Sequence, residues 1–491
     1  MNWRTIAFNA AVFVSTMILA GLAQAQTAMT VSVDARHPGA AISPDFIGLS
    51  FELSQVLADD DGVHYFRPDN QPLINLFHTL GIKSLRVGGN TADRSVRELP
   101  DRADIDSLFA FAKAADVKVI YCLRLRYGDA AQDASVARYI MDHYPDQIDC
   151  FSIGQEPNVY PKTTNAMGVV TPRPTYAQIA PQWKRFESII AAAVPNIRLC
   201  GPSVDDNPEW PQEFMRDFGR GYHVAMITAH LYPGRNGELV PSPEVGRDRM
   251  LSAGFVDEYQ KLYNGFAVNA LANGLPYRLE EVNNYFKGGA RDVSDTFASA
   301  LWGLDFMYWW AAHDATGLNF HTGDRVSSGF DMNPSKYTAY FSTSDGFNVR
   351  PLGYGIKAFD LGGHGRFARA TVSNPNKLNV DAYAVLGDDK DLYVTIINNE
   401  HGSGARDARI ALSADGFSSG QMAALAAPNN DITVKTGVTF GGAKINDDGS
   451  WNGSWTALPF AGRLTRLGTY TGTFPITVPA SSAVVVKLMA N

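Results

Sequence analysis

The sequence predicts an α/β protein in two parts: a (β/α)8 TIM barrel, then a C-terminal antiparallel β-sandwich that an N-terminal strand completes. Three observations carry this. From Phe46 to about residue 355, eight short apolar runs rich in β-branched or aromatic residues alternate with amphipathic helical segments, the count of a closed parallel barrel. A dinucleotide-type open sheet would begin on GxGxxG, and that motif is absent. From Gly362 onward Gly, Ser, Thr, Ala and Asn rise, helical periodicity fades and strand-like runs follow turn signals, the texture of a sandwich. A length of 491 residues accommodates one large barrel with a smaller companion.

In chain order, residues 1–25 read as a signal peptide. Arg4 supplies a positive start, Ile6–Ala20 is almost entirely apolar and carries no charge, and Ala23-Gln24-Ala25 offers a small-x-small cleavage site. The apolar stretch is shorter than the roughly 20 residues of a membrane span. An exported chain, secreted or periplasmic and beginning near Gln26, is therefore expected. Met29–Val33 alternates like a strand and has no place in a barrel, so residues 26–40 are assigned to the sandwich. The barrel is expected over 41–361. Its strands are Phe46–Phe51, Lys83–Val87, Val117–Leu123, Ile148–Ile153, Ile197–Gly201, Val224–Leu231, Tyr277–Val282 and Gly317–His321. Its helices include Asn70–Leu80, Ile105–Ala115, Ala134–His143, Tyr176–Ala193 and Asp295–Ala312. The sandwich, 362–491, is expected to use Ala382–Leu386, Leu392–Ile397, Ala408–Leu412, Ile432–Val434, Leu464–Tyr470 and Ala483–Leu488.

Composition narrows the function. With 45% hydrophobic and 19% charged residues, the chain is neither disordered nor fibrous. Lys+Arg total 42 against 50 Asp+Glu, a net charge of −8, so no footprint for nucleic acid, heparin or an anionic membrane exists. Cys122, Cys150 and Cys200 each sit in an apolar run and read as reduced core residues. HExxH, CxxC, Walker A and EF-hand patterns are absent, so neither a metal nor a cofactor is expected. Asp59-Asp60-Asp61 reads as a solvated loop, and a monomer is expected.

Chemistry is sought where barrel strands end, because reacting groups gather at that face. Strand four runs through Ile153-Gly154 into Gln155-Glu156-Pro157-Asn158, and strand seven through Tyr277-Arg278-Leu279 into Glu280-Glu281. Two carboxylates facing across a cleft are the minimal machinery of glycoside hydrolysis, provided their surroundings keep one protonated and the other ionised.

These residues resemble a known family. Gly154-Gln155-Glu156-Pro157 is similar to the Gly-Asn-Glu-Pro motif of the clan A retaining glycosidases, and the chain resembles glycoside hydrolase family 79, the β-glucuronidase and heparanase family. Further segments carry the likeness: Ser43-Pro44-Asp45-Phe46 leading to Phe51-Glu52, Leu85-Arg86-Val87-Gly88-Gly89-Asn90, His230-Leu231-Tyr232, Ser294-Asp295-Thr296-Phe297-Ala298 and Arg350-Pro351-Leu352-Gly353-Tyr354. The resemblance implies a retaining exo-β-glucuronidase with Glu156 as acid/base and Glu281 as nucleophile. An ungapped count back from Ser294-Asp295-Thr296-Phe297 selects Glu281 over Glu280. Alternation agrees, since Glu281 shares the strand face of Leu279 and Glu280 falls on the other. The implied sugar-binding shell is Glu52, Asn90, Gln155, His230, Tyr232 and His321, all at strand ends. His64, His78, His143, His313 and His364 lack that placement and read as structural.

Two positions depart from the family pattern. Gln155 stands where clan A has Asn. The loop after the nucleophile reads Tyr285-Phe286-Lys287-Gly288-Gly289 where relatives carry Tyr-Gly-Gly, so the family tyrosine falls on Phe286, with Tyr285 and Lys287 as candidate replacements for holding a uronic acid carboxylate. Three readings stay open at this stage: a β-glucuronidase acting on a terminal uronic acid, a related exo-glycosidase for a neutral sugar or modified uronate, and a non-catalytic carbohydrate-binding barrel.

Overall fold

The computed structural model describes residues 29–93, 98–164, 170–323 and 334–490. The expected signal peptide, 1–25, lies outside the described residues. Eight parallel strands close a barrel: Ile47–Glu52, Ser84–Gly88, Lys118–Leu123, Ile148–Ile153, Leu199–Asp205, Val224–Leu231, Tyr277–Val282 and Leu318–His321. The eighth pairs with the first, His321 opposite Ser50. Strands buried on both faces must be apolar almost throughout, which is why they were legible as continuous runs. The exceptions line the inside. Arg278 donates to Asn319 Oδ1 at 2.7 Å and to the Asp45 carbonyl at 3.0 Å. Gly48 and Gly317 leave the space these two side chains fill, since a Cβ at either would collide with them.

Helix ends are set by local chemistry. Asp101 and Asp104 form a reciprocal capping box at the start of Arg102–Ala114, which satisfies N–H groups that the first helical turn leaves unpaired. The helix Ala298–Ala312 is buried on all sides because it lies between barrel and sandwich. Tyr383 of the sandwich donates to Asp305 at 2.7 Å, and its ring stacks on Tyr308 at 4.8 Å. No helix among the described residues is long and apolar enough to cross a membrane.

The second part is a curled sheet of eleven strands. Met29–Asp34 lies in its middle, antiparallel to Arg366–Ser373 and parallel to Ala408–Ala414, burying Met29, Val31 and Val33 against Ile410, Leu412 and Phe474. Two expected strands take other forms. Ile432–Val434 is a turn, and its carbonyls accept from Ala298 N at 3.1 Å and Phe297 N at 2.8 Å; they cap the buried helix instead of joining the sheet. Leu464–Tyr470 holds the turn between Ala461–Leu464 and Tyr470–Val478, where Gly468 adopts φ 80°.

Removing 362–491 is expected to strip Met29–Asp34 of its partners and expose the apolar flank of Ala298–Ala312, giving insoluble protein. Soluble yield of a 41–361 fragment checks this, and soluble material would contradict it.

The cysteines correct the expectation. Cys150 and Cys200 form a disulfide between barrel strands four and five, with Cα atoms 5.9 Å apart, packed with Ile120 and Met226; only Cys122 is free. Each apolar run considered alone hides this pairing, which appears once the barrel sets the two strands side by side. The bridge closes a 50-residue separation, worth about 4 kcal/mol by loop entropy. Replacing both cysteines with Ala should lower unfolding stability by about 2–4 kcal/mol, read from denaturation midpoints.

Candidate active site

Strand seven carries one residue too many. Its pairing with strand six shifts between Leu279 and Glu281, opposite Ala229 and His230, and its pairing with strand eight shifts as well. Such a bulge interrupts alternation. Glu280 and Glu281 consequently both reach His230, Glu280 Oε1 lying 3.6 Å from Nε2 and Glu281 Oε2 3.9 Å from Nδ1. Alternation had sent the two carboxylates to opposite faces; the inserted residue turns both toward one histidine.

Glu281 is 5% exposed and saturated with donors. Arg86 Nη1 donates to Oε2 at 2.6 Å, Gln155 Nε2 to the same oxygen at 3.0 Å, and Tyr232 Oη to Oε1 at 2.9 Å. Burial works against its ionisation, but His321, His230, Arg86 and the Tyr232 hydroxyl hold the carboxyl well below the usual range. Arg86, fully buried, also donates to Ser50 Oγ at 3.1 Å and to Gln155 Oε1. Together with His321 and His230 it supplies the positive charge that makes a buried carboxylate at Glu281 tenable.

Glu156 ends strand four in a left-handed backbone conformation, φ 46°, its N–H held by the Ser203 carbonyl at 2.8 Å. Its Oε1 lies 3.0 Å from His230 Nδ1. Burial disfavours a charged His230, yet Glu281, Glu156 and Glu280 together push it up to about 9. The preceding Gln155 N–H is fixed by Asp93 Oδ2 at 2.9 Å, and Asp93 itself is pushed up to about 6 by burial.

One oxygen each of Glu156 and Glu281 and one His230 nitrogen lie within 4.8 Å of one another. A retaining pair of carboxyl groups sits about 5–5.5 Å apart and an inverting pair about 6.5–9.5 Å, so this spacing falls on the retaining side. The same three groups are spaced to hold a metal ion, but the Arg86 guanidinium already faces Glu281, and an ion would add a second cation beside it.

The remaining expected residues are placed as follows. Glu52 accepts from Asn90 N at 3.1 Å and from Thr91 N and Oγ1, both at 2.7 Å; it ties down the loop after strand two. Burial opposes its charge, and His321 with Thr91 outweighs that to keep the carboxyl below its ordinary range. Asn90 joins Glu52 through its backbone while its residue surface is exposed. His321 Nδ1 is 3.1 Å from Ser50 Oγ and its Nε2 3.7 Å from Glu52.

In the loop after Glu281, Tyr285 is fully buried and donates to the Gly246 carbonyl at 2.9 Å, its ring against Phe255. Phe286 is half-buried and edge-on to Tyr232 at 6.2 Å. Lys287 is exposed with φ 65°, followed by Gly288 at φ 71° and Gly289 at φ 91°. Lys336 N donates to the Gly288 carbonyl at 2.7 Å, and a Cβ on Gly289 would meet Ser294 at 2.8 Å.

Sequence reasoning missed Arg86 and Tyr337 as site members. A lone arginine inside the apolar run Leu85-Arg86-Val87 was the available signal, because a buried guanidinium requires a carboxylate partner. Tyr337 lies outside every strand and helix, and nothing in its local pattern marks it. It is 6% exposed, its ring 6.0 Å from His321 and 6.2 Å from Tyr232, and it faces Glu281 and Glu52.

No family model matches the chain. A β-glucuronidase from Aspergillus niger is 24% identical over 370 residues, 63% of this chain and 66% of that protein. A β-glucuronidase from Neurospora crassa is 21% identical over 343 residues, 60% of each. The matched stretch thus spans less than two thirds of these relatives. Among solved structures, the 4-O-α-L-rhamnosyl-β-D-glucuronidase from Fusarium oxysporum 12S aligns with a TM-score of 0.70 at 18% identity, covering 94% of this chain and all, 100%, of that one. The family 51 arabinofuranosidase from Xanthomonas axonopodis pv. citri aligns at 0.64 with 12% identity over 94% and 100% of the two chains. These likenesses support the barrel-and-sandwich fold.

Proposed function

We propose that the chain is an exported, monomeric, retaining exo-β-glucuronidase of the glycoside hydrolase family 79 type, with its catalytic barrel over 41–361 and its sandwich formed by 26–40 and 362–491. The observation that carries the reading is the contrast between two buried carboxylates within 4.8 Å: Glu281, held by the Arg86 guanidinium, and Glu156, whose Oε1 faces His230 Nδ1 at 3.0 Å. Glu281, kept ionised, attacks the anomeric carbon. Glu156 delivers a proton to the glycosidic oxygen as that bond breaks, then takes one from the water that releases the sugar from Glu281. The two β-glucuronidases similar over part of the chain supply the substrate class. The buried Cys150–Cys200 disulfide supports export, since such bonds persist in oxidising compartments.

For the uronate carboxylate the proposed subsite is the loop from Phe286 to Gly289 with Lys287, together with Tyr337; the Tyr285 hydroxyl, spent on Gly246, serves the loop's packing. Phe286, which offers no hydroxyl, favours a second reading, an exo-glycosidase for a neutral sugar. Aryl β-glycosides differing only at C6 decide between them. A glucuronide should exceed the matching glucoside by roughly 10- to 150-fold in kcat/KM, the worth of one or two charge-assisted hydrogen bonds. Proton NMR of the first-formed product should show the β-anomer, and preference for the glucoside would overturn the uronate assignment.

A further inference from the structure

We propose that Glu280 is a positioning residue that fixes the His230 ring so that Nδ1 meets Glu156, making Glu156 and His230 joint holders of the proton given to the leaving group. This rests on the reading of Glu156 as acid/base.

Glu280 and His230 are both 0% exposed. Glu280 Oε1 accepts from Thr228 Oγ1 at 2.9 Å and lies 3.6 Å from His230 Nε2. Among the described residues, neither Glu280 Oε2 nor His230 Nε2 has a hydrogen-bond partner. On the other side of the ring, Nδ1 is 3.0 Å from Glu156 Oε1. A third buried carboxylate beside Glu281 and Glu156 costs desolvation and like-charge repulsion. Packing gives no reason to retain it, because a glutamine would satisfy Thr228 without the charge.

The charge has a use in the ring's two faces. With Glu280 ionised, Nε2 keeps its hydrogen and points it at Glu280, so Nδ1 is the nitrogen free to exchange. When Glu156 holds the proton, Nδ1 accepts from its O–H; when Nδ1 holds it, the imidazolium donates to the Glu156 carboxylate. The two arrangements have equal total charge, and the imidazolium of the second is stabilised by Glu280 on the far side of the ring, so the proton can move along the 3.0 Å axis at little cost. In the first chemical step the Glu156 O–H bond breaks as an O–H bond to the glycosidic oxygen forms, and the electron pair of the broken C–O bond stays on that oxygen. Glu156 regains a proton from the attacking water in the second step.

The groups facing this axis come from several strands. Arg86 of strand two sits near Glu280 and Glu281, Glu156 ends strand four, and Asp205 of strand five is the backbone register partner of His230. Glu281 of strand seven is 3.9 Å from Nδ1, and His321 of strand eight is 4.0 Å from Glu281. Loss of one negative charge among them lowers the proton affinity of the pair.

Glu280→Gln keeps the shape and removes that charge. The basic limb of its kcat/KM profile on an alkyl glucuronide, which needs protonation, should fall by about one pH unit or more. Activity on that substrate above neutrality should drop about 10-fold, while the first step of a 2,4-dinitrophenyl glucuronide, which needs no acid, should hold. The His230 titration followed by NMR should fall in parallel, and Glu280→Asp, which keeps the charge, should restore both toward wild type. An unchanged basic limb and an unchanged His230 titration in Glu280→Gln would overturn the proposal. Equal loss on both leaving groups with no shift would reduce Glu280 to a packing role and overturn it too. Should the wild type hydrolyse no glucuronide, the acid/base reading fails separately, and the His230 titration still reports whether Glu280 governs the ring.

Discussion

Glu281→Gln should lose turnover by at least about ten thousand-fold, with substrate binding retained. The amide oxygen can still accept from Arg86 while its NH2 donates to the Tyr232 hydroxyl oxygen, groups that lie 2.6 and 2.9 Å from the native carboxylate, so the pocket keeps its shape and lacks only the attacking carboxylate. Glu156→Ala separates the two steps. A 2,4-dinitrophenyl glucuronide should still form the covalent intermediate, because its leaving group departs without protonation, whereas breakdown stalls for want of a base. Azide, a nucleophile needing no base, should restore turnover and yield the β-glycosyl azide. Near-native activity in Glu281→Gln with loss in Glu280→Gln would place the nucleophile one residue earlier.

The second large effect is expected at Arg86. Arg86→Met removes the cation 2.6 Å from Glu281 and leaves a 5% exposed carboxylate to other partners. Breaking one side of a buried pair costs about 3–5 kcal/mol of stability, and losing a preorganised donor at the reacting group about 10²- to 10³-fold in kcat. The pH dependence has a defined sign. Glu281 is held below its ordinary range, so its contribution to stability is present above the ordinary carboxyl pKa and lost as pH falls toward the folded value. Without Arg86 burial gains weight and the folded pKa rises. The acidic limb of kcat/KM should therefore move to higher pH, and the stability gap to wild type should narrow as the solution is acidified. Denaturation series at several pH values together with rate profiles check both.

How much of this was legible beforehand follows from which interactions are local. The barrel strands were readable because burial on two faces demands apolar runs, and Met29–Val33 was readable as a displaced sandwich strand because its alternation fits no barrel wall. Glu156 and Glu281 stood out by their place at strand ends, and the structure brings their carboxylates within 4.8 Å. The route to Glu281 through alternation, however, fails at the bulge: an inserted residue changes the face of everything after it, and nothing in Leu279-Glu280-Glu281-Val282 announces the insertion. Arg86 and the Cys150–Cys200 bridge were hidden for a shared reason. Their partners come from other strands, 195 positions away for the Arg86–Glu281 hydrogen bond and 50 for the bridge, and only barrel closure supplies the adjacency. Ile432–Val434 has a strand's composition but is used to cap a helix, because the N–H groups of Phe297 and Ala298 face the sandwich and require acceptors.

The proposed double displacement turns on one covalent bond, between the anomeric carbon of a β-glucuronide and Glu281. Treating the protein with 2-deoxy-2-fluoro-β-glucuronyl fluoride and mapping the adduct by peptide mass spectrometry measures it directly, since fluoride departs readily while the fluorinated intermediate hydrolyses slowly. The expected result is a single adduct on Glu281, absent from Glu281→Gln. An adduct on Glu280, or no adduct on folded protein, would contradict it.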